Sequence, residues 1–181
     1  MHREIEQPGR RTLRLRGYGY TDQGPYFLTI ATQERNAIFG CVVEGNMQTN
    51  EVGRIIRDEW LRSAEIRPEF WFDAFVVMPN HLHAILAVAP PETDASSLAP
   101  ASDNARLRRP AHSLGSFVGG FKSATTRRIN QARGTPGAKV WQRNYYEHII
   151  RNDRSLEQIR AYIETNPLRW ELDRENPDRS R

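Results

Sequence analysis

Two histidines one residue apart, His81-Leu82-His83, stand inside an otherwise apolar run, HLHAILAV (81–88). On a β-strand successive side chains alternate faces, so both imidazoles would project to one side about 6–7 Å apart. Leu82 and Leu86 would then point to the core. Two imidazoles so placed can share one metal ion, but surface histidines or histidines bonded to their neighbours give the same pattern, and both readings stand at this point. Some metal chemistries are excluded. A dinuclear hydrolase of the H-x-H-x-D-H type needs Asp and His where Ile85 and Leu86 stand, and no H-E-x-x-H helix occurs. The single cysteine, Cys41, permits no intrachain disulfide and no thiolate site, and is expected as a small core residue. What remains is an open two-histidine site completed by oxygen, a donor set that favours a harder ion such as Mg²⁺ or Mn²⁺.

A candidate oxygen ligand and a candidate nucleophile lie near the C-terminus. Tyr162 and Asn166 are four residues apart, hence on one face of a helix, beside the apolar stripe Leu156, Ile159 and Ile163. Docking that stripe onto the sheet would bring an amide oxygen and a phenol to the histidines. Taken singly, Tyr162 also reads as an edge-of-core aromatic and Asn166 as a helix C-cap.

The elements that must position these residues follow from periodicity. Tyr26–Thr32 is β-branched and aromatic after a Gly-Pro turn, hence a strand. Val52, Ile55, Ile56 and Trp60 recur at helical spacing and predict a helix over Met47–Ala64. Phe70–Met78 and His81–Val88, joined by Pro79-Asn80, read as a hairpin. Ser113–Ala132 carries Leu114, Phe117, Val118, Phe121 and Ile129 near one face, and Val140–Arg151 is strand-like. Asp153–Asn166 is a helix opened by a Ser155/Gln158 capping box and closed by Pro167. The order β-α-β-β-α-β-α with a central hairpin predicts an α+β, ferredoxin-like sandwich: an antiparallel sheet, its two-histidine strand central, with helices packed on it. The expected organisation is a basic N-terminal arm (1–17), a single domain (18–170) with a flexible 89–110 loop, and a charged C-terminal tail (171–181) that frays.

Charge composition points toward a polyanion. Lys and Arg total 26 against 22 acids, a net charge of +4, and only Lys122 and Lys139 are lysines. The planar guanidinium fork suits phosphate oxygens, although a GC-rich genome also inflates arginine. Candidate phosphate contacts are Arg14 and Arg16 in the arm (beside Arg10 and Arg11) and Lys122, Arg127 and Arg128 on the second helix. Arg106, Arg108, Arg109 and Arg133 flank them. Such runs also mark solvated helix faces. Tyr145, Tyr146 and Trp141 are candidates to stack unpaired bases, with core packing as the alternative for at least one. No run of about 18 uncharged apolar residues is present, so no membrane partner is expected. The polar, Arg-rich N-terminus is no secretory signal, and a cytoplasmic location is expected.

Together the motifs resemble a known family. The string VVMPNHLHAILAV (76–88) resembles the histidine-hydrophobic-histidine motif of HUH endonucleases in their single-tyrosine transposase form. The block VWQRNYYEHIIRNDRSLEQIRAYIETNPLRW (140–170) is similar to the signature of REP-associated tyrosine transposases. The resemblance implies that His81, His83 and Asn166 hold the metal and that Tyr162 is the nucleophile. Other single-tyrosine transposases carry Gln at the position of Asn166. It implies cleavage and strand transfer of single-stranded hairpin DNA, DNA transposition or recombination chemistry, through a 5′-phosphotyrosine. Both monomers and homodimers occur among such proteins. Two other readings remain: a non-catalytic ferredoxin-like nucleic-acid-binding module, and a replication or plasmid-transfer initiator. The first lacks the K/R-G-F/Y-G/A-F-V-x-F/Y signature of RNA-recognition domains. The second often carries paired tyrosines, for which only Tyr145-Tyr146 would serve.

Overall fold

The computed structural model describes residues 24–88 and 113–177 of the chain. The arm with Arg14 and Arg16, and the 89–110 loop with Arg106, Arg108 and Arg109, lie outside the described residues. Along the chain run β1 (Tyr26–Ala31), β2 (Gly40–Val43), β3 (Asn46–Thr49), α1 (Glu51–Ile66), β4 (Phe70–Val77), β5 (His81–Val88), α2 (Leu114–Arg133), β6 (Tyr146–Ile149) and α3 (Asp153–Thr165). A 3-10 turn over Pro167–Leu172 follows α3.

The fold is the expected α+β arrangement around an antiparallel sheet of order β4-β5-β1-β6. The two-histidine strand is internal, between β4 and β1. Alternation along β5 divides the interior in two. Leu82, Ala84 and Leu86 join Leu28 and Ile30 of β1 in the larger core, under α1 and α2, with Ile56, Trp60, Phe117 and Phe121. His81, His83 and Ile85 face the other way, toward α3, where Ile85 packs with Ile150, Leu156 and Ile163. Helices therefore cover both faces of the sheet. The strand is buried on both sides, which is why it reads as a near-continuous apolar run.

Five local expectations are corrected. Met47 to Thr49 belong to β3, not to α1: Val43 and Asn46 pair across a two-residue turn in which Glu44 (φ 50°) and Gly45 (φ 74°) are both left-handed, a tight hairpin geometry. Helix α1 starts at Glu51, capped by the Asn50 side chain on the Gly53 amide. Gly53 is required there, because a Cβ would sit 2.2 Å from the Phe39 carbonyl oxygen. Cys41 is exposed on β2 and not in the core.

The strand expected over Val140–Arg151 shrinks to Tyr146–Ile149. Its first half keeps only an isolated bridge to the end of β1, Trp141 to Thr32, and packs under α2, where Trp141 donates to Thr125 Oγ1 at 2.9 Å. Helix α3 is capped by Asn152, which accepts from the Ser155 amide at 2.8 Å, so Ser155 lies inside the helix and no Ser155/Gln158 box opens it. The segment after Trp170 does not fray as far as 177. The 3-10 turn returns the chain to the sheet and buries Asp173.

Candidate metal centre and nucleophile

The register of β5 sets the site. His83 lies opposite Thr29 on β1 and Val76 on β4, and His81 opposite Ala31. Both imidazoles are buried, with ring centroids 4.3 Å apart. Each is oriented by a polar neighbour at Nδ1: Asn80 Oδ1 at 2.8 Å for His81 and Thr29 Oγ1 at 2.9 Å for His83. A partner at Nδ1 fixes ring orientation and leaves Nε2 facing the site, the usual arrangement behind a metal-bound imidazole. Asn80 is itself held, donating to the Arg35 and Glu175 carbonyls.

Helix α3 delivers the other groups. Its apolar stripe docks on the sheet and places the Tyr162 hydroxyl 3.2 Å from His83 Nε2. Phe27 stacks on His83 and meets the Tyr162 ring edge-on, centroids 5.1 and 6.0 Å away. One turn later Asn166 is fully buried, its Nδ2 donating to Asp173 Oδ2 at 3.0 Å. Asp173 Oδ2 also accepts from the Tyr162 hydroxyl at 3.5 Å, and its Oδ1 accepts from the Glu175 amide. His81, His83 and Asp173 bring donor atoms within 4.8 Å of one another. Asp173 is the residue that sequence reasoning missed. It lies beyond the recognised motif block, in a charged run with Glu171 and Glu175 on either side that reads as a solvated tail.

Burial governs the charge states. Desolvation lowers the His83 pKa to about 4 against the opposing charge of Asp173, and lowers His81 well below its ordinary value, helped by His83 and Arg35. Both rings are therefore neutral at pH 7 and offer lone pairs. Burial, then the Asp173 charge, pushes the Tyr162 phenol up to about 12, so it stays protonated without a nearby cation.

A divalent cation fits this donor set. Among the described residues two buried polar side-chain atoms lack a hydrogen-bond partner, His81 Nε2 and Asn166 Oδ1. Orphaned buried acceptors are costly, and both are of the kind that a cation satisfies. The structure thus brings His81, His83, Tyr162 and Asn166 together and adds Asp173.

The expected DNA contacts fare differently. Lys122 Nζ donates to the carbonyls of Gln142, Arg143 and Asn144, and burial lowers its pKa to about 8. Arg128 pairs with Glu59 of α1 at 2.8 Å. Arg127 is exposed. Tyr146 is 57% exposed on the site face of β6, 6.4 Å from Phe27, whereas Tyr145 packs at the edge of the larger core and carries the Lys122 ammonium over its ring.

The chain is similar to known proteins in sequence and in fold. Residues 107–166 match the family described as "Transposase IS200 like". An uncharacterised Haemophilus influenzae protein is 36% identical over 166 residues, 91% of each chain. A second protein of that organism, provisionally named a REP-associated tyrosine transposase, is 26% identical over 83% of this chain and 73% of its own. The fold is shared with a solved REP-associated tyrosine transposase bound to a REP hairpin: TM-score 0.51, 21% identity, 91% of this chain and 74% of that one. No helix among the described residues is long and apolar enough to cross a membrane. With the two-histidine strand central and the α3 tyrosine facing it, the chain belongs to the IS200-like transposase family.

Proposed function

We propose that this protein is a metal-dependent single-strand DNA endonuclease and strand transferase acting on hairpin-bearing DNA, with Tyr162 as nucleophile. The observation that carries the reading is the convergence of two neutral imidazoles, a buried carboxylate and an orphaned amide oxygen around one phenol hydroxyl. His81 and His83 would hold the ion through Nε2, with Asp173 and the Asn166 oxygen completing the set. A bound Mg²⁺ or Mn²⁺ would supply positive charge to the scissile phosphate and favour the phenolate.

The chain's own groups account for the rest. Asn80 and Thr29 keep the imidazoles from turning, and Phe27 packs edge-on against the phenol ring. The Tyr162 oxygen attacks phosphorus, the bond to the 3′ oxygen breaks, and that oxygen leaves protonated as a 3′-hydroxyl. The phenol proton passes to solvent. The product is a 5′-phosphotyrosine, which conserves the bond energy for attack by a second 3′-hydroxyl. Because all of these groups come from one chain, a monomer suffices for the chemistry, and a homodimer would hold two copies of it.

The test is incubation with hairpin-bearing single-stranded DNA and Mn²⁺, read on a denaturing gel. Cleavage is expected in Mn²⁺ and none in EDTA. Cleavage that persists in EDTA, or that survives unchanged in His81→Ala, would remove the metal from the account.

A further inference from the structure

On the α2 side of the sheet edge lies a cavity of about 290 Å³, lined by Gly115, Gly119, Lys122, Arg143, Tyr145 and Glu147 among others. It is separate from the metal centre, which occupies the α3 side. Gly115 and Gly119 are one helical turn apart and expose the backbone of α2. A Cβ on Gly119 would meet nothing within 4 Å, so no packing within the described residues requires glycine there, although glycine in a helix interior weakens the helix.

The opposite wall is fixed in place. Lys122 Nζ ties the 142–144 backbone through three carbonyls, at 2.8, 3.4 and 3.0 Å, and the same ammonium lies 5.7 Å from the centre of the Tyr145 ring. An aromatic wall is thereby held before any ligand arrives. At the mouth stand an exposed guanidinium, Arg143, and an exposed carboxylate, Glu147. A carboxylate only accepts hydrogen bonds, so the ligand must present N–H donors, while Arg143 suits an adjoining phosphate.

We propose that this cavity binds one unpaired guanine of the DNA strand that the protein cleaves, the base lying against bare α2 backbone and Tyr145 while Glu147 accepts from N1–H and the N2 amino group. Guanine is the base that offers two adjacent donors. The inference rests on the single-strand DNA reading above. Its position supports the DNA source: Glu147 directly follows Tyr146, whose ring lies on the other face of the same edge strand, 6.4 Å from Phe27 beside the nucleophile. One strand passing the β6 edge would contact both.

The test measures affinity of the full chain for hairpin DNA with a single-stranded flank, replacing each flank guanine in turn by inosine, which lacks the N2 amino group. One position should lose about tenfold. Gly119→Leu, which fills the cavity and improves the helix, should keep or raise the melting temperature yet weaken binding, and Glu147→Gln should erase the guanine–inosine difference. Wild-type affinity and base preference in folded Gly119→Leu would overturn the cavity while leaving the cleavage reading intact, as long as the covalent adduct still forms. GMP alone binding as tightly as the flank would overturn the DNA assignment. A wild-type protein that binds no single-stranded DNA would overturn both readings.

Discussion

Neutral imidazoles at pH 7 are a direct result of burying His81 and His83, and they make stability depend on pH. The folded-state pKa of His83, about 4, lies below the ordinary value of 6.5, so the unfolded chain binds the extra proton first. The contribution of this group is therefore fully present above pH 6.5 and is lost as pH falls toward 4. Melting temperature of the EDTA-treated protein should drop through that window, and His83→Gln should flatten the drop; an unchanged profile would mean the ring is not held neutral by burial. Asp173 gives a second prediction at this scale. Its carboxylate faces the imidazole pair and raises the Tyr162 pKa, so Asp173→Asn should weaken Mn²⁺ binding by roughly 10–100-fold in calorimetry. Equal affinity in that variant would leave the ligand set to the histidines and Asn166. The histidine pair was legible because strand alternation fixes its geometry, and Tyr162 with Asn166 because helical spacing does. Asp173 was not, since no local periodicity announces a 3-10 turn that folds a polar tail back onto a sheet.

At the scale of elements, the placement of α3 decides whether nucleophile and metal donors meet. Its apolar stripe is aided by Arg160, which donates to Asp73 on β4 through Nε at 2.9 Å and through a second nitrogen, and to Glu157 at 2.6 Å. Asp73 sits at the register shift between Phe72 and Phe75 on the edge strand. Both partners are about a quarter exposed, so the pair is worth at most about 1 kcal/mol. Arg160→Ala should lower the melting temperature by only about 2–4 °C. Cleavage should fall further than that loss implies, and the exchanged pair Arg160→Asp with Asp73→Arg should recover part of it. Cleavage that tracks stability alone would deny the ion pair any part in placing Tyr162. Element order was readable because each long element has a clear period. The hidden β2–β3 hairpin and the shortened β6 were not: a Glu-Gly turn is a weak signal, and Trp141 fits a strand or a helix-covered core equally well until Thr125 gives its indole a partner.

For the whole molecule, the two faces of the sheet divide the work: α1 and α2 close the larger core, and α3 with the returning tail closes the candidate site. With its net charge of +4, affinity for hairpin-bearing single-stranded DNA should fall linearly on a log–log plot against salt, and fully paired duplex of equal length should bind more weakly. Equal or tighter duplex binding would contradict an open single-strand site. Strand transfer itself requires that Tyr162 carry the transferred strand. Mass spectrometry of the trapped protein–DNA adduct tests it directly. A nucleotide on Tyr162 is expected, and neither adduct nor cleavage from a folded Tyr162→Phe variant, which lacks only the hydroxyl. An adduct on Tyr145 or Tyr146, or undiminished cleavage by Tyr162→Phe, would contradict it.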